Sequence, residues 1–331
     1  MTDDFAAEPM ERGDEIHAAG GAAGLGTVAS IEPLATLPHS RVARVRLTSG
    51  AGCIFKIAGT VDFAASARRE IAVNTDVLTA FPVPVAPKLL GSDRTAECPW
   101  MLFEDVSPPF LPIRQVPPRV PEFERMLTVL ARTHAQSARL DLPALFNHIE
   151  GTRHCAEIAP QVPAVLDAFL ATTPRDVYPA AVEELVATIR DNVHTLYTAI
   201  RAERPVFLHG DAHHQNALYS ETEALLIDWS QATTGPGEID LCSTMAMNMP
   251  RLLGRAREPG AFALYCRTFL QEHGVDTSEH DVRERYRLCL LQTVIVAIAF
   301  RSIPGIDHHT WSYLFTNAVE AALDLDCRAL L

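Results

Sequence analysis

The strongest constraint on the fold of this chain is a pair of polar motifs that lie among short apolar runs. The first motif is HGDAHHQN at residues 209–216, and the second is IDW at residues 227–229. The apolar runs at 206–208, 217–219 and 225–227 have the length and composition of short strands. This spacing predicts a strand–loop–strand hairpin that brings polar side chains from both motifs together.

The side chains of these motifs suit phosphoryl transfer. Transfer from a nucleotide requires a grip on the triphosphate, a metal ion to offset its charge, and orientation of the acceptor hydroxyl. Oxygen ligands are those that Mg²⁺ prefers. We therefore predict that Asn216 and Asp228 bind Mg²⁺ and that Asp211 is the general base facing the acceptor.

Composition excludes several other classes of protein. The net charge of −13 argues against nucleic acid as the main partner, because phosphate backbones require basic surfaces. The longest apolar run, at 288–300, is too short to cross a membrane and predicts a buried helix. Seven scattered cysteines without a C-x-x-C motif indicate reduced thiols. We expect a cytoplasmic protein that binds a nucleotide and a small hydroxylated substrate, with no membrane partner and an oligomeric state that the sequence does not indicate.

The two halves of the chain differ in their periodicity. Residues 1–25 are expected to form a flexible leader. Residues 26–106 carry short strand patterns around one helical segment. A proline-rich stretch then leads to almost continuous helical spacing, so residues 107–331 are expected to form a second, mainly helical unit.

The pattern H-G-D-x-x-x-x-N followed by I-D-W resembles the aminoglycoside phosphotransferase and choline- and ecdysteroid-kinase-like families, which are relatives of the protein kinases. The resemblance implies an α+β, bilobal protein-kinase-like fold. Residues 26–106 would be a small antiparallel-sheet N-lobe that binds the nucleotide, and residues 107–331 a larger, mainly helical C-lobe with the catalytic loop and the acceptor site. The resemblance also implies Mg²⁺-dependent transfer of the γ-phosphate of ATP or GTP to a hydroxyl of a small molecule, with antibiotics among the acceptors.

The resemblance assigns roles to residues of the N-lobe. Lys56, on the third predicted strand, would contact the phosphates and pair with Glu70 on the following helix. Backbone groups of the connection between the lobes, at Phe103, Glu104 and Val106, would recognise the adenine or guanine base.

Other residues would support the site. His209 is expected to organise the catalytic loop through hydrogen bonds. Asp240 resembles the aspartate that braces this loop, and helix capping fits its position as well. His213 and His214 could line the acceptor side or be solvated, and the sequence does not separate these two readings.

One turn departs from the family pattern. Many relatives have glycines between the first two strands, where backbone N–H groups approach the phosphates. Residues 36–40 contain no glycine in this chain, so Ser40 and nearby backbone amides are the candidates for that contact.

Three alternatives remain open from the sequence. A metallohydrolase could use the His/Asp-rich loop around Zn²⁺ or a metal pair, although this leaves Lys56 and Glu70 unexplained. A catalytically silent binding module could keep the same fold. A kinase could also act on a metabolic alcohol, such as a choline-like molecule or a sugar.

Overall fold

The architecture is taken from a computed structural model of the chain. It describes residues 24–37, 39–113, 117–146, 154–172, 178–274, 277–303 and 306–331, with Ile16, Gly21 and Ile149. The leader expected over residues 1–25 therefore lies outside the described residues, apart from Ile16, Gly21, Gly24 and Leu25. The Ile16 side chain is buried against the core of the first sheet.

The first part of the chain forms a five-stranded antiparallel sheet with the order β1-β2-β3-β5-β4. Its strands are β1 (Val28–Thr36), β2 (Ser40–Leu47), β3 (Gly52–Ala58), β4 (Leu89–Asp93) and β5 (Trp100–Glu104). A helical segment follows β3 and consists of α1 (Ala64–Ala72) flanked by short turns of 3₁₀ and π type. We call this unit, residues 28–104, the sheet lobe.

Strand register decides which side chains face the site. Val42 lies opposite Lys56, and Lys56 lies opposite Met101. Residues opposite each other in an antiparallel pair project from the same face, so Val42, Lys56 and Met101 share one face. The other face, which includes Val45 and Phe55, packs into its own core. The alternation of apolar and polar residues in β2 and β3 thus turns Lys56 away from that core.

The remainder of the chain is mostly helical, and we call residues 111–331 the helical lobe. Its helices are α2 (Val120–Ser137), α3 (Leu142–Phe146), α4 (Val162–Thr172), α5 (Ala180–Asp191), α6 (Val193–Ala202), α7 (Glu238–Cys242), α8 (Arg251–His273), α9 (Glu279–Ala299) and α10 (His308–Asp324). Its strands are β6 (Leu111–Pro112), β7 (Val206–Leu208), β8 (Ala217–Tyr219), β9 (Ala224–Leu226) and β10 (Thr233–Gly235). One large apolar core joins these helices.

The predicted fold class is confirmed, but three of its strands were not predicted. They are β4, with the sequence LLGSD, β6, within the proline-rich stretch, and β10, with the sequence TTG after the IDW motif. All three are short and poor in apolar alternation, and they form because a neighbouring strand pairs with them: β5 with β4, β8 with β6 and β7 with β10. Tertiary pairing here outweighs local propensity.

Two further predictions from the sequence concern the cysteines and the apolar run at residues 288–300. All seven cysteines are unpaired and six of them are buried. The apolar run at 288–300 lies in α9 and its following turn, and much of it is buried in the core of the helical lobe. Within the described ranges, no helix has the length and apolar character needed to cross a membrane.

Candidate active site

The catalytic loop and the IDW motif meet at the open end of a hairpin. β8 and β9 pair through Ala217 and Leu226, and the Ile227 N–H donates to the Asn216 carbonyl at 2.9 Å. Asn216 immediately precedes this hairpin and Asp228 follows it. The hairpin predicted from the apolar runs therefore places Asn216 and Asp228 at the same end of β8 and β9.

Asp228 has an uncommon backbone conformation. Its φ is 63° and its ψ is 67°, in the left-handed region that non-glycine residues rarely adopt. The chain then turns directly into a short 3₁₀ segment at Trp229–Gln231. Strain of this kind persists where the surrounding structure enforces it, and it clusters at functional sites. The conformation turns the Asp228 carboxylate toward the sheet lobe.

Lys56 joins three distant parts of the chain. Its Nζ donates to Glu70 Oε1 and Oε2 at 2.9 and 2.7 Å, and to Asp228 Oδ1 at 2.9 Å. The side chains of Lys56 and Glu70 are 13% and 3% exposed. The Trp229 backbone N–H also donates to Glu70. The ammonium therefore lies between a carboxylate of its own lobe and one of the helical lobe.

Burial and neighbouring charges have opposite effects on the pKa values of this cluster. Removal from water raises the pKa of Glu70 to about 7, although the Lys56 ammonium opposes the rise. Burial lowers the pKa of Lys56, but the two carboxylates outweigh burial and leave it raised. Burial also raises the pKa of Asp228, but the ammonium outweighs that effect and the pKa falls to about 2. Asp228 is therefore ionised at neutral pH and Lys56 is charged.

Asp211 lies on the same loop and contacts Asn216. The Asn216 Nδ2 donates to the Asp211 carbonyl at 3.0 Å and to its Oδ2 at 2.9 Å. His213 Nε2 lies 3.4 Å from the same Oδ2. Burial raises the pKa of Asp211, but contact with His213 outweighs it and the pKa is lowered. A carboxylate that is ionised at neutral pH can accept a proton from an acceptor hydroxyl.

The histidine of the first motif links the loop to the second motif. His209 is fully buried, its Nε2 donates to the Ile227 carbonyl at 2.9 Å, and its Nδ1 accepts from the Asp211 N–H at 3.3 Å. These bonds assign the tautomer with the proton on Nε2. The ring also packs 4.7 Å from Trp229, centroid to centroid. Both ring nitrogens are thus used within the fold.

Asp240 braces the loop from behind. Its carboxylate accepts from the backbone N–H groups of His209 and Gly210 at 2.7 and 3.0 Å, and from His134 Nε2 at 3.1 Å. It lies inside α7, whose N-cap is Gly237, so the capping interpretation is wrong. His134 in turn contacts the Tyr265 hydroxyl at 2.9 Å. Asp240, His134 and His209 are fully buried, so the carboxylate supplies a partner for the buried His209 N–H as well as for the N–H of Gly210.

The structure gives His213 and His214, whose roles the sequence did not decide, different surroundings. His213 contacts Asp211 and is 22% exposed. His214 is buried, its Nδ1 lies 3.2 Å from the Tyr219 hydroxyl, and burial lowers its pKa to about 3. His213 therefore belongs to the catalytic loop surface, whereas His214 is a neutral core residue.

The connection between the lobes is anchored by side chains. Glu104 Oε1 accepts from the Lys88 N–H at 2.8 Å, so this side chain points toward β4. Asp105 accepts from Arg44 Nε at 2.9 Å. Among the described residues, none accepts a hydrogen bond from the Val106 N–H. Backbone groups, rather than the Glu104 side chain, are therefore what this segment can offer a nucleotide base.

Ser40 is placed at the start of β2. It lies opposite Ala58, two residues along β3 from Lys56, and is buried. Its N–H donates to the Leu37 carbonyl at 3.2 Å within the turn. The amide of Ser40 is thus occupied, while its hydroxyl lies on the same face of the sheet as Lys56.

The donor set fits Mg²⁺. Because Asn216 Nδ2 is used by Asp211, the Oδ1 oxygen is the atom left for a metal, and Asp228 supplies an ionised carboxylate. Mg²⁺ is commonly bound through one or two carboxylates together with substrate phosphates and water. In the described part of the chain, no three His, Cys, Asp or Glu side chains form a group that could hold a metal.

A cavity of about 290 Å³ opens beside Asp211, between the catalytic loop and helix α9. Arg69 from α1 also lines it, and its Nη1 donates to the Ser230 carbonyl of the helical lobe at 3.0 Å. A larger hollow of about 600 Å³ lies against Arg125 and Arg267 and includes none of the predicted site residues. Of these two cavities, the smaller is the one that Asp211 lines.

Sequence reasoning missed several residues of this region. Arg69 lies next to Glu70, but arginine is common in this chain and gave no signal. Ser243 and Gln292 line the cavity from positions far along the sequence. Gly210 has a φ of 81°, and a Cβ there would lie 2.0 Å from the Gln231 carbonyl oxygen. Of these residues, only Gly210 could have been inferred from the sequence, because it lies between the two polar motif residues His209 and Asp211.

Comparison with known proteins places these features in a family context. The sequence model described as the phosphotransferase enzyme family, APH, matches residues 31–289. No curated protein sequence gives a match to the chain.

Solved structures with a similar fold have low sequence identity. Macrolide 2′-phosphotransferase MphH from Brachybacterium faecium has a TM-score of 0.61 at 15% identity, covering 91% of this chain and 97% of that chain. A choline/ethanolamine kinase family protein from Mesorhizobium loti has a TM-score of 0.57 at 16% identity, covering 95% and 97%. A spectinomycin phosphotransferase in complex with ADP and spectinomycin has a TM-score of 0.55 at 14% identity, covering 95% and 98%. At these identities the likeness shows the fold.

Gly210→Ala tests the close approach of the loop to Gln231. An alanine in the left-handed region costs about 1–2 kcal/mol. We expect the free energy of unfolding to fall by more than this, because the new Cβ also meets the Gln231 carbonyl. Gly260→Ala is the matched control, since it lies inside α8 with open space around it and should raise stability by about 1 kcal/mol. Urea denaturation measures both, and equal effects of the two variants would contradict the geometry.

Lys56→Met tests the buried ion cluster. It should lower the free energy of unfolding at neutral pH by about 3–5 kcal/mol, because Glu70 and Asp228 are left without their cation. Both carboxylates then have folded-state pKa values above their unfolded values. The folded state therefore binds more protons, and we expect part of the stability to return as the pH falls.

The exposed Lys88 is the control for this variant, because it is the only other lysine. Urea denaturation of Lys88→Met across the same pH range should change stability by less than about 0.5 kcal/mol. A Lys56→Met protein that matches this control at every pH would show that the cluster is not a buried ion pair.

Proposed function

This chain belongs to the phosphotransferase enzyme family, and on that premise we propose that it transfers the γ-phosphate of ATP or GTP to a hydroxyl group of a small molecule, with Mg²⁺ as the metal. Hydroxylated antibiotics are among the candidate acceptors, because the macrolide and spectinomycin phosphotransferases have this fold. A cytoplasmic setting and the absence of nucleic acid and membrane partners stay predictions from the sequence.

The observation that carries the proposal is the shared ammonium. Lys56 bonds at once to Glu70, fourteen residues away, and to Asp228, 172 residues away. A buried ion pair is weak evidence for stability, because the cost of removing charges from water offsets their attraction. A cation held between two lobes next to a metal-binding carboxylate is, however, suited to a polyphosphate.

We assign separate roles to residues of the two lobes. We assign Lys56 to the nucleotide phosphates and Glu70 to holding its ammonium in place. The backbone of Phe103, Glu104 and Val106 takes the base, and Ser40 is a further candidate for phosphate contact. In this proposal residues 26–106 form the nucleotide-binding unit, and residues 107–331 carry the catalytic loop and the acceptor site.

The acceptor hydroxyl lies at Asp211 in this proposal. The carboxylate orients the hydroxyl and accepts its proton as the oxygen attacks the γ-phosphorus, while the bond to the leaving diphosphate breaks. His213 lowers the pKa of Asp211 and keeps it ionised. Asn216 fixes the same carboxylate through Nδ2.

Asn216 and Asp228 would hold the metal. Bound Mg²⁺ offsets the negative charge of the phosphates. His209 and Asp240 keep the loop in position, because they tie its backbone to Ile227 and to the helical lobe.

The metallohydrolase alternative is not supported by the arrangement of the histidines. His209 donates to a backbone carbonyl and stacks near Trp229, and His214 is buried beside Tyr219. Only His213 contacts Asp211. Since the three rings have different partners, they do not converge on one metal position.

Asp211→Ala tests the base. Phosphate transfer should fall by about 10²–10⁴-fold, which is the usual contribution of a general base, while Mg²⁺-dependent nucleotide binding is largely kept. Transfer is measured as the mass gain of one phosphate on an acceptor, and binding by calorimetry. Asp76→Ala, at an exposed position, is the control. Turnover of Asp211→Ala at the control's rate would overturn the assignment.

Asp228→Ala tests the metal ligand. Nucleotide affinity should lose its dependence on Mg²⁺ and weaken by about tenfold or more in its presence. Asp326→Ala is a matched control, because Asp326 is the other described non-glycine residue with a positive φ and lies on the surface near the C-terminus. Calorimetric titrations with and without Mg²⁺ compare the two variants. An unchanged Mg²⁺ dependence in Asp228→Ala would remove Asp228 from the metal site.

A further inference from the structure

The wall of the cavity beside Asp211 is mainly apolar away from the catalytic loop. We call this space, of about 290 Å³, the Asp211 cavity. Its apolar lining comes from several segments of the helical lobe, including α7 and α9, and consists of Ile158, Ala232, Ile239, Met247, Val296 and Phe300. Pockets for small molecules typically combine such a wall with a few polar groups that fix orientation.

The charges of the lining are few. Asp211 is its one carboxylate and Arg69 its one guanidinium. His154 also lines the cavity, and burial together with the nearby Arg201 lowers its pKa, so it is neutral at pH 7. Asp211 is already contacted by His213. A ligand that carries several ammonium groups would thus meet one guanidinium and no acid beyond the catalytic one, and burying such charges without partners is costly.

Two buried polar atoms in this wall lack partners. Gln292 is 4% exposed and Ser243 is 8% exposed. Neither Gln292 Oε1 nor Ser243 Oγ has a hydrogen-bond partner among the described residues, although the Gln292 side chain also interacts with the Cys155 thiol. Buried polar atoms are nearly always hydrogen-bonded, and an exception in a native structure calls for an explanation. A ligand in the cavity supplies one, because both residues line it.

We infer that the Asp211 cavity binds an uncharged hydroxylated acceptor with an apolar ring or chain, and that Gln292 and Ser243 hydrogen-bond to one of its polar groups. The inference rests on the proposed phosphotransferase function and narrows its substrate class. The apolar part lies against Val296 and Phe300, and a hydroxyl reaches Asp211. Polycationic aminoglycosides fall outside this class.

Matched acceptors test the substrate class. The wild-type protein, Mg²⁺ and ATP or GTP are incubated with phenyl and alkyl glucosides, and in parallel with the corresponding aminoglucosides and kanamycin. Mass spectrometry then measures the gain of one phosphate. We expect the uncharged compounds to react at least about tenfold faster at equal concentration, a ratio equivalent to about 1.4 kcal/mol.

Three results of this screen would overturn the inference: faster transfer to the amino compounds, equal transfer to both sets, or no transfer to either. A thermal unfolding assay with nucleotide and Mg²⁺ then shows whether only the substrate class is wrong or the proposed phosphotransferase function as well. If stabilisation is also absent, the phosphotransferase proposal is wrong as well. If stabilisation is present, only the substrate class is wrong.

Gln292→Leu tests the polar contact directly. The melting temperature of the free protein should rise, because a buried carbonyl without a partner is replaced by an apolar side chain of similar size. The KM of the uncharged acceptor should rise by about fivefold to tenfold, as expected for one lost hydrogen bond, with kcat and nucleotide affinity unchanged. A purely structural role would not raise stability and acceptor KM together.

Two further variants complete the test. Gln271→Leu, at an exposed position of α8, is the matched control and should leave acceptor KM unchanged. Ser243→Ala repeats the experiment at the second unpartnered atom, in case Gln292→Leu perturbs the contact with Cys155. Acceptor KM values that stay at the wild-type value in both Gln292→Leu and Ser243→Ala would overturn the assignment.

Discussion

The ammonium of Lys56, held between Glu70 and Asp228, is the interaction on which the rest of the structure depends. It connects the sheet lobe to the helical lobe through one charged atom. Arg69, which neighbours Glu70, adds a further contact between the lobes through the Ser230 carbonyl. Because the cluster is largely buried, removal of either the cation or the carboxylates would leave a buried charge without a partner. The left-handed backbone of Asp228 is the local cost of aiming one carboxylate across the cleft.

The sequence predicted what local spacing can encode. The two motifs indicated the hairpin, and the resemblance indicated the pairing of Lys56 with Glu70, which the structure places at 2.7 Å. The first three strand segments and the helical character of most of the chain after the proline-rich stretch also followed from periodicity. β4 and β10 could not be predicted, because neighbouring strands rather than their own sequences stabilise them.

The Asp211 cavity, where we propose that the acceptor binds, could not be predicted for a different reason. Its lining comes from side chains as far apart as Arg69 and Phe300, so no window of sequence contains it. His213 and His214 differ only in what the fold places around them. The net charge of −13 is a property of the whole chain and does not describe the Asp211 cavity, whose lining contains a single carboxylate. Local lining, rather than total charge, determines what a buried site can bind.

The central claim is that Lys56, Asn216 and Asp228 enclose a polyphosphate with its metal. An experimental structure with Mg²⁺ and a non-hydrolysable ATP or GTP analogue tests it most directly. We expect the Lys56 Nζ to keep its contact with Glu70 and to meet phosphate oxygens, with Mg²⁺ bound by Asn216 Oδ1 and Asp228. A nucleotide bound elsewhere, or phosphates that leave Lys56 bonded only to the two carboxylates, would contradict the claim.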